Sequence, residues 1–415
     1  MHENLTMMRN LLIYIVSLTF LLTSCHNDDK QDDIMSERTV LVYMSGENDL
    51  SWNIKEDLDE MLQAKIDDNK DILVVYVDDA NKSHMPYVAR VKKGILVDSV
   101  SISDMGISRG DTCSAASAVM KSIINYAFRK YPSRHSDYGL VLWGHASGWV
   151  LEDSIAPRAA RQLAPRRGYG FDNGQDSDGR GYWMNMHTMA EVLSQCPHLR
   201  FIFADCCLFQ CIESAYELRH VADYIIGSPA EIPAMGAPYT TVVPALFEPE
   251  SFYTSIVDRY YEQTSSGQIR VPLSAIKTSA MDNLATATRT VLQSIKDTLS
   301  QTSYPDVAGL IHYYFRPLYH DVNDFILRYA QPEDYTVWKK ALDAAVIYKK
   351  MADRWVTNVT WTYNYSDFEM TEARYGGISM FVPLDPNKRG GYRQYNEDYR
   401  KTAWYHATGM NSLGW

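Results

Sequence analysis

Residues 199–217 read LRFIFADCCLFQCIESAYE, and the fold is decided by how this stretch is read. It opens with an apolar run, Phe201-Ile202-Phe203-Ala204, the pattern of a strand buried on both faces. The run breaks at Asp205-Cys206-Cys207 and continues from about Gln210 as an amphipathic helix. A carboxylate and two thiols at the end of a buried strand are costly unless they are put to use. Open α/β sheets collect their ligands and catalytic groups at such strand ends. Residues 138–150, YGLVLWGHASGWV, repeat the design: the run Leu140-Val141-Leu142-Trp143 ends in Gly144-His145. One strand delivers a cysteine and the other a histidine, which points to Cys–His hydrolase chemistry.

A cysteine nucleophile needs a base or a cation nearby to bring its pKa down from about 8.5. The chain has 11 histidines, and only His145 follows a buried apolar strand within this pattern. Most lone histidines are surface or satisfied core residues. His145 differs in being flanked by Gly144 and by Ser147-Gly148, small residues that let a substrate approach the backbone closely. Cys206 and Cys207 stand side by side, and successive side chains of a strand point to opposite faces. One of the two therefore faces the imidazole and the other is an inert core thiol. Pattern alone does not choose between them.

Around these two strands the chain reads as alternating strands and helices. Residues 40–44 and 72–77 are strands, 52–65 is a helix, 87–100 a hairpin turning near Lys93-Gly94, and 112–130 a helix. After the histidine strand comes a long polar loop, 151–181, then a helix at 185–196, the cysteine strand with its helix, and a strand at 223–228. This order implies a mainly parallel sheet with helices on both faces. From about residue 251 helical periods dominate, at 251–263, 280–299, 321–329 and 335–352. A strand-like 272–276 lies among them, and a late apolar strand at 377–383 is expected in the main sheet or in a small second one. The expected layout is a core at 38–250 and a helical C-terminal subdomain at 251–415.

The first residues stand outside this layout. Arg9 precedes an apolar run from Leu11 to Leu22, too short to span a bilayer, and then Thr23-Ser24-Cys25. Residues 1–24 read as a lipoprotein signal peptide, with Cys25 as the acylated mature N-terminus. Residues 25–37 read as a polar tether, and HNDDKQDD at 26–33 suits export to an outer membrane or cell surface. A net charge of −11 offers no basic surface for nucleic acid. Beyond Cys25 the cysteines are Cys113, Cys196, Cys206, Cys207 and Cys211; their number is odd, and no spacing makes a zinc site. Asp176-Ser177-Asp178-Gly179 has calcium-loop composition, but Gly174 and Asn185 fall where an EF-hand needs its first and last ligands.

Val141-Leu142-Trp143-Gly144-His145, followed by Phe203-Ala204-Asp205-Cys206-Cys207-Leu208, resembles the clostripain family of cysteine peptidases, in the clan of caspases and gingipains. The likeness extends to Tyr43-Met44-Ser45-Gly46-Glu47-Asn48-Asp49-Leu50, to residues 213–218 and 228–239, and to Gly376-Gly377-Ile378-Ser379-Met380-Phe381. It implies a caspase-like α/β/α sandwich. It places Cys206 on the Ala of the family's Asp-Ala-Cys, which makes Cys207 the nucleophile and His145 the general acid/base. Backbone N–H groups at Cys207 and after His145 would form the oxyanion hole. The family's usual Gly after His is Ala146 here; the donor survives, and the added methyl narrows the site.

The resemblance also implies a lining acid, Asp205, that pairs with a substrate guanidinium and directs cleavage after Arg and less readily after Lys. The competing role for Asp205 is a helix cap. Glu231 is the only acid of the 228–238 loop. Members commonly activate themselves by cutting at a basic residue between His and Cys; Arg158, Arg161, Arg166 and Arg167 are the candidates. Some members depend on calcium, although the chemistry itself needs no cofactor. The expected partners are protein or peptide substrates and, through the lipid, a membrane, with the chain acting as a monomer. Two rivals are an inactive relative that serves as a surface binding module and a different Cys-dependent amidase or transpeptidase.

Overall fold

All nine residues of β1 (Arg38–Gly46) are buried, because both faces of the strand are covered. Leu41 and Tyr43 pack into one core, and Val40, Val42 and Met44 into the other. The computed structural model describes residues 35–108, 110, 112–150, 168–173, 182–265, 270–298, 304–355, 357, 368–387 and 392–414. The expected leader with Cys25, and Arg158, Arg161, Arg166 and Arg167, lie outside the described residues.

The strands that follow are β2 (Asp71–Asp79), β3 (Tyr87–Lys92), β4 (Ile95–Ser101), β5 (Tyr138–Gly144), β6 (Tyr169–Asp172), β7 (Tyr182–Met184), β8 (Leu199–Asp205), β9 (Ala222–Gly227), β10 (Leu273–Lys277), β11 (His320–Asp321), β12 (Val346–Lys350) and β13 (Ser379–Met380). Nine of them form one sheet in the order β12-β10-β9-β8-β5-β1-β2-β3-β4. The run from β9 to β2 is parallel, and both edges are antiparallel.

Helices cover both faces. On one lie α1 (Asn53–Gln63), α5 (Tyr239–Leu246) and α6 (Phe252–Ser265), contributing Ile54, Met61, Val242, Phe252 and Ile256. On the other lie α2 (Ser117–Lys130), α3 (Met186–Leu193), α4 (Ile212–Glu217), α7 (Met281–Thr298) and α8 (Pro332–Ala345), contributing Val119, Ile123, Met189, Ala215, Leu284 and Trp338. This is the expected α/β/α sandwich. Among the described residues no helix is long and apolar enough to cross a membrane.

Several elements differ from expectation for physical reasons. α2 begins at Ser117 rather than Thr112. The Ser114 N–H is already used: it donates to the Asp172 carboxylate at 2.5 Å, which holds the preceding turn open. The helix expected through 352 ends at Ala345, and Val346-Ile347-Tyr348 enter β12 against β10. Their β-branched and aromatic side chains suit a sheet edge as well as a helix face, and the edge of the sheet was not visible from the sequence. Both β10 and β12 come from beyond residue 250, so the C-terminal part is not helical alone and belongs to the same body as the core. The late apolar strand shrinks to Ser379–Met380 and pairs with β11 in a small second sheet. β6 lies within what reads as the long loop 151–181, and it pairs with β7 just past that loop, where no strand is expected.

Candidate active site

Two neighbouring parallel strands carry the expected pair. β5 and β8 run in register from Gly139 opposite Phe201 to Trp143 opposite Asp205. His145 is two residues past Trp143 and Cys207 two past Asp205, so both leave the same edge of the sheet at the same level. Adjacent strands lie about 4.8 Å apart.

Each strand end is bent sharply. Gly144 has φ +136°, and a Cβ there would sit 2.7 Å from the Ser45 carbonyl oxygen, so only glycine turns the chain here. Beyond it the chain is clamped by β6: the Gly170 N–H donates to the His145 carbonyl at 2.9 Å and the Ser147 N–H to the Gly168 carbonyl at 2.8 Å. Ala146, opposite Tyr169, is therefore a non-hydrogen-bonded pair, and its own N–H turns away from β6. After Cys207, Leu208 takes φ +57°, an uncommon conformation for a non-glycine residue, and its N–H is held by the Ala230 carbonyl at 3.0 Å.

The two thiols part company. Cys206 is fully buried among the core residues, and burial pushes its thiol well above the ordinary range. Cys207 is only half-buried; the Ile232 N–H donates to its Sγ at 3.4 Å, and the Ile232 carbonyl oxygen lies 3.8 Å from the same sulfur. The His145 ring is oriented by Asp49, whose carboxylate lies 2.7 Å from Nε2. Phe171 and Trp183 flank the same ring, each with its centroid 6.4 Å away.

The two acids expected at the pocket differ in kind. Asp205 is 3% exposed, and its carboxylate accepts from the Ala237 N–H at 3.0 Å, the Tyr239 hydroxyl at 2.8 Å and the Tyr260 hydroxyl at 3.1 Å. Burial raises its pKa, and these donors oppose the rise. No bare edge is left for a guanidinium fork, and Gly236 covers it closely enough that a Cβ would come within 2.6 Å of Oδ2. Asp205 thus stands beneath the site rather than lining it. Glu231 is half-buried on the stretch that holds Cys207 and Leu208, and burial pushes it up to about 7. Burial, then the nearby Glu231, raises the Tyr314 hydroxyl, with smaller contributions from Tyr395 and Cys207, so Tyr314 is a neighbour of both Glu231 and Cys207.

The clostripain family profile matches residues 42–415. The chain belongs to the clostripain family. Two solved relatives share its fold and its chemistry class. A secreted C11 cysteine protease from Bacteroides thetaiotaomicron, solved with an irreversible peptide inhibitor, is 30% identical with a TM-score of 0.72, over 91% of this chain and 100% of that one. An inactive zymogen C11 protease from Parabacteroides distasonis is 26% identical with a TM-score of 0.70, over 90% of this chain and 98% of that one. No curated protein matches the chain. It is a clostripain-family cysteine peptidase.

Four supporting groups of this clostripain-family site escaped sequence reading. Asp49 lies in the 43–50 stretch that carries part of the resemblance, but no sequence signal assigns that exposed acid a role at the site. Asp57 lies buried under the site, where Trp143 Nε1 donates to it at 2.5 Å. Burial, then Asp205, pushes Asp57 up to about 8. Tyr260 reads as an ordinary position of the helix expected at 251–263, and Tyr239 only as the end of the 228–239 stretch, with no helix expected there. Among the described residues one acidic group fits a cation: Glu47, Asp78 and Asp172, all buried, offer oxygens within 4.8 Å of one another. One Asp78 oxygen is buried with no hydrogen-bond partner, while Lys82 pairs with Glu47 and Ser114 with Asp172. Among the described residues Cys113, Cys196, Cys206, Cys207 and Cys211 are all free.

Proposed function

We propose that this chain is an exported, lipid-anchored cysteine endopeptidase in which Cys207 is the nucleophile and His145 the general acid/base. The observation that carries the reading is the β5–β8 register, which brings residues 145 and 207 out side by side. The Cys207 thiolate attacks the scissile carbonyl carbon, and the oxyanion is met by the N–H groups of Cys207 and Ala146. The C–N bond breaks as His145 gives its proton to the leaving amine. His145 then takes a proton from water, which attacks the acyl-enzyme and frees Cys207.

Arg before the scissile bond, with Lys second, is the proposed preference, and it now rests on Glu231. That carboxyl ionises as pH rises through about 7, so turnover of an Arg reporter rises with pH across that range. The saturated Asp205 favours a second reading, a short uncharged residue at the same position. Maturation by cleavage at Arg158, Arg161, Arg166 or Arg167 and anchoring through Cys25 belong to the same proposal, as does action as a monomer at the outer membrane or cell surface. Where calcium binds, Glu47, Asp78 and Asp172 are proposed to hold it, supplying charge compensation that braces β6. Calcium then raises the melting temperature of the wild type and not of Asp78→Asn; equal shifts in both would remove this site.

The test is an internally quenched peptide assay with Arg, Lys or Ala before the cleaved bond. Wild type and Cys206→Ala turn over, and Cys207→Ala loses at least about 10⁴ in rate. Glu231→Gln loses the Arg preference. Full activity in Cys207→Ala, with loss in Cys206→Ala, would reverse the nucleophile assignment. No turnover by wild type and no electrophile labelling of Cys207 would leave the binding-module reading.

A further inference from the structure

The order of strands fixes an order of side chains along the catalytic edge. The loop after β9 carries Glu231, Cys207 follows the end of β8, His145 follows the end of β5, and Asp49 follows the end of β1. The β6–β7 hairpin packs against the β1 end: the Asn48 side chain donates to the Phe171 carbonyl at 2.6 Å, and Gly170 lies against Ser45. Its two aromatic rings, Phe171 and Trp183, stack on each other with centroids 4.9 Å apart at 28°. Both are part-exposed, and the hairpin that carries them is tied to the ends of β1 and β5.

A peptide crossing this edge has its acyl part at Cys207 and Glu231. Its leaving amine must lie at His145, because that imidazole gives it the proton. The residue that begins the leaving peptide is then carried past His145, toward β1 and the hairpin. We propose that Phe171 and Trp183 form the subsite for that residue, and that they select an aromatic or branched aliphatic side chain there. The inference rests on the peptidase reading above and adds the leaving side to it. A stacked, part-exposed aromatic pair offers apolar area and a ring face to such a side chain. Asp49, 67% exposed at its side chain beside the same ring, adds a charge that disfavours an acidic residue in this position.

The experiment uses the full chain and internally quenched peptides with one accepted residue before the cleaved bond, varying only the residue after it. Wild type cleaves peptides with Phe, Leu or Ile there at least about tenfold better in kcat/KM than those with Ser or Asp, the scale of discrimination an apolar pocket gives. In Trp183→Ala the ratio falls to within about twofold, through KM for the apolar peptides. Phe171→Ala does the same if Trp183→Ala fails to fold, as judged by its melting temperature. An unchanged ratio in both variants overturns the proposal. So does an equal fall in kcat for every peptide, which would mean that the rings only hold His145. If no peptide is cut and Cys207 takes no electrophile, the peptidase reading fails instead.

Discussion

Asp49 shows how much of the site hangs on a residue whose role the sequence does not assign, although it lies in the 43–50 stretch of the resemblance. Its carboxylate fixes one imidazole nitrogen of His145, which sets the tautomer and the direction of the other. Its side chain is largely exposed, so removing its charge has little effect on folding. Asp49→Asn is expected to lower kcat about tenfold or more, the lower range for misplaced acid/base catalysis, while KM and the melting temperature hold. The check is steady-state kinetics across pH; an unchanged profile would deny Asp49 a positioning role. The same scale separates the two thiols. Adjacent in sequence, they are divided by burial: Cys206 is sealed into the core, and Cys207 meets the Ile232 N–H at the edge.

At the level of elements, the site is made by how strands end. β5 stops because Gly144 turns with a positive φ directly against the Ser45 carbonyl. A methyl at this position must push β1 and β5 apart or move His145. Gly144→Ala is therefore expected to cost about 1–3 kcal/mol and to lower turnover by more than tenfold, read by denaturant unfolding and by the peptide assay. A variant with wild-type stability and rate would show that the turn tolerates a side chain. The β6–β7 hairpin closes the other side of His145. Its strands are short and its sequence is polar and glycine-rich, so no periodicity distinguishes it from loop. It becomes a strand pair because Tyr169 is fully buried, with its hydroxyl donating to the Tyr43 and Trp143 carbonyls at 3.1 Å each.

Across the whole molecule, the sandwich buries carboxyls that its cores do not neutralise. Glu213, on the helix behind the nucleophile, is fully buried; one oxygen accepts from the Phe381 N–H at 2.7 Å and the other has no partner. Burial pushes its pKa from 4.5 up to about 8. A carboxyl raised in the folded state stabilises the fold below its unfolded pKa, and that contribution is lost as pH climbs through the folded value. Stability is thus expected to fall between about pH 4.5 and 8, by on the order of 5 kcal/mol from this group. Glu213→Gln flattens the fall, measured by thermal melting across that range; an equally steep slope in the variant would assign it elsewhere.

The apolar runs of β1, β2, β5, β8 and β9 were legible as a buried parallel sheet, because a strand covered on both faces must be continuously apolar and few other structures have that pattern. The pairing of His145 with a cysteine strand was legible for the same reason: polar residues at the end of such a run stand out. What stayed hidden depends on partners far along the chain. Asp205 looked like a pocket acid until Tyr239 and Tyr260, from helices that pack beneath it, took up its oxygens. Residues 346–350 had a helical period and became an edge strand because β10 offered an open ladder. Local pattern reports which residues are buried and at what period; which donors, aromatic rings and strand edges meet them is settled only when the chain closes on itself.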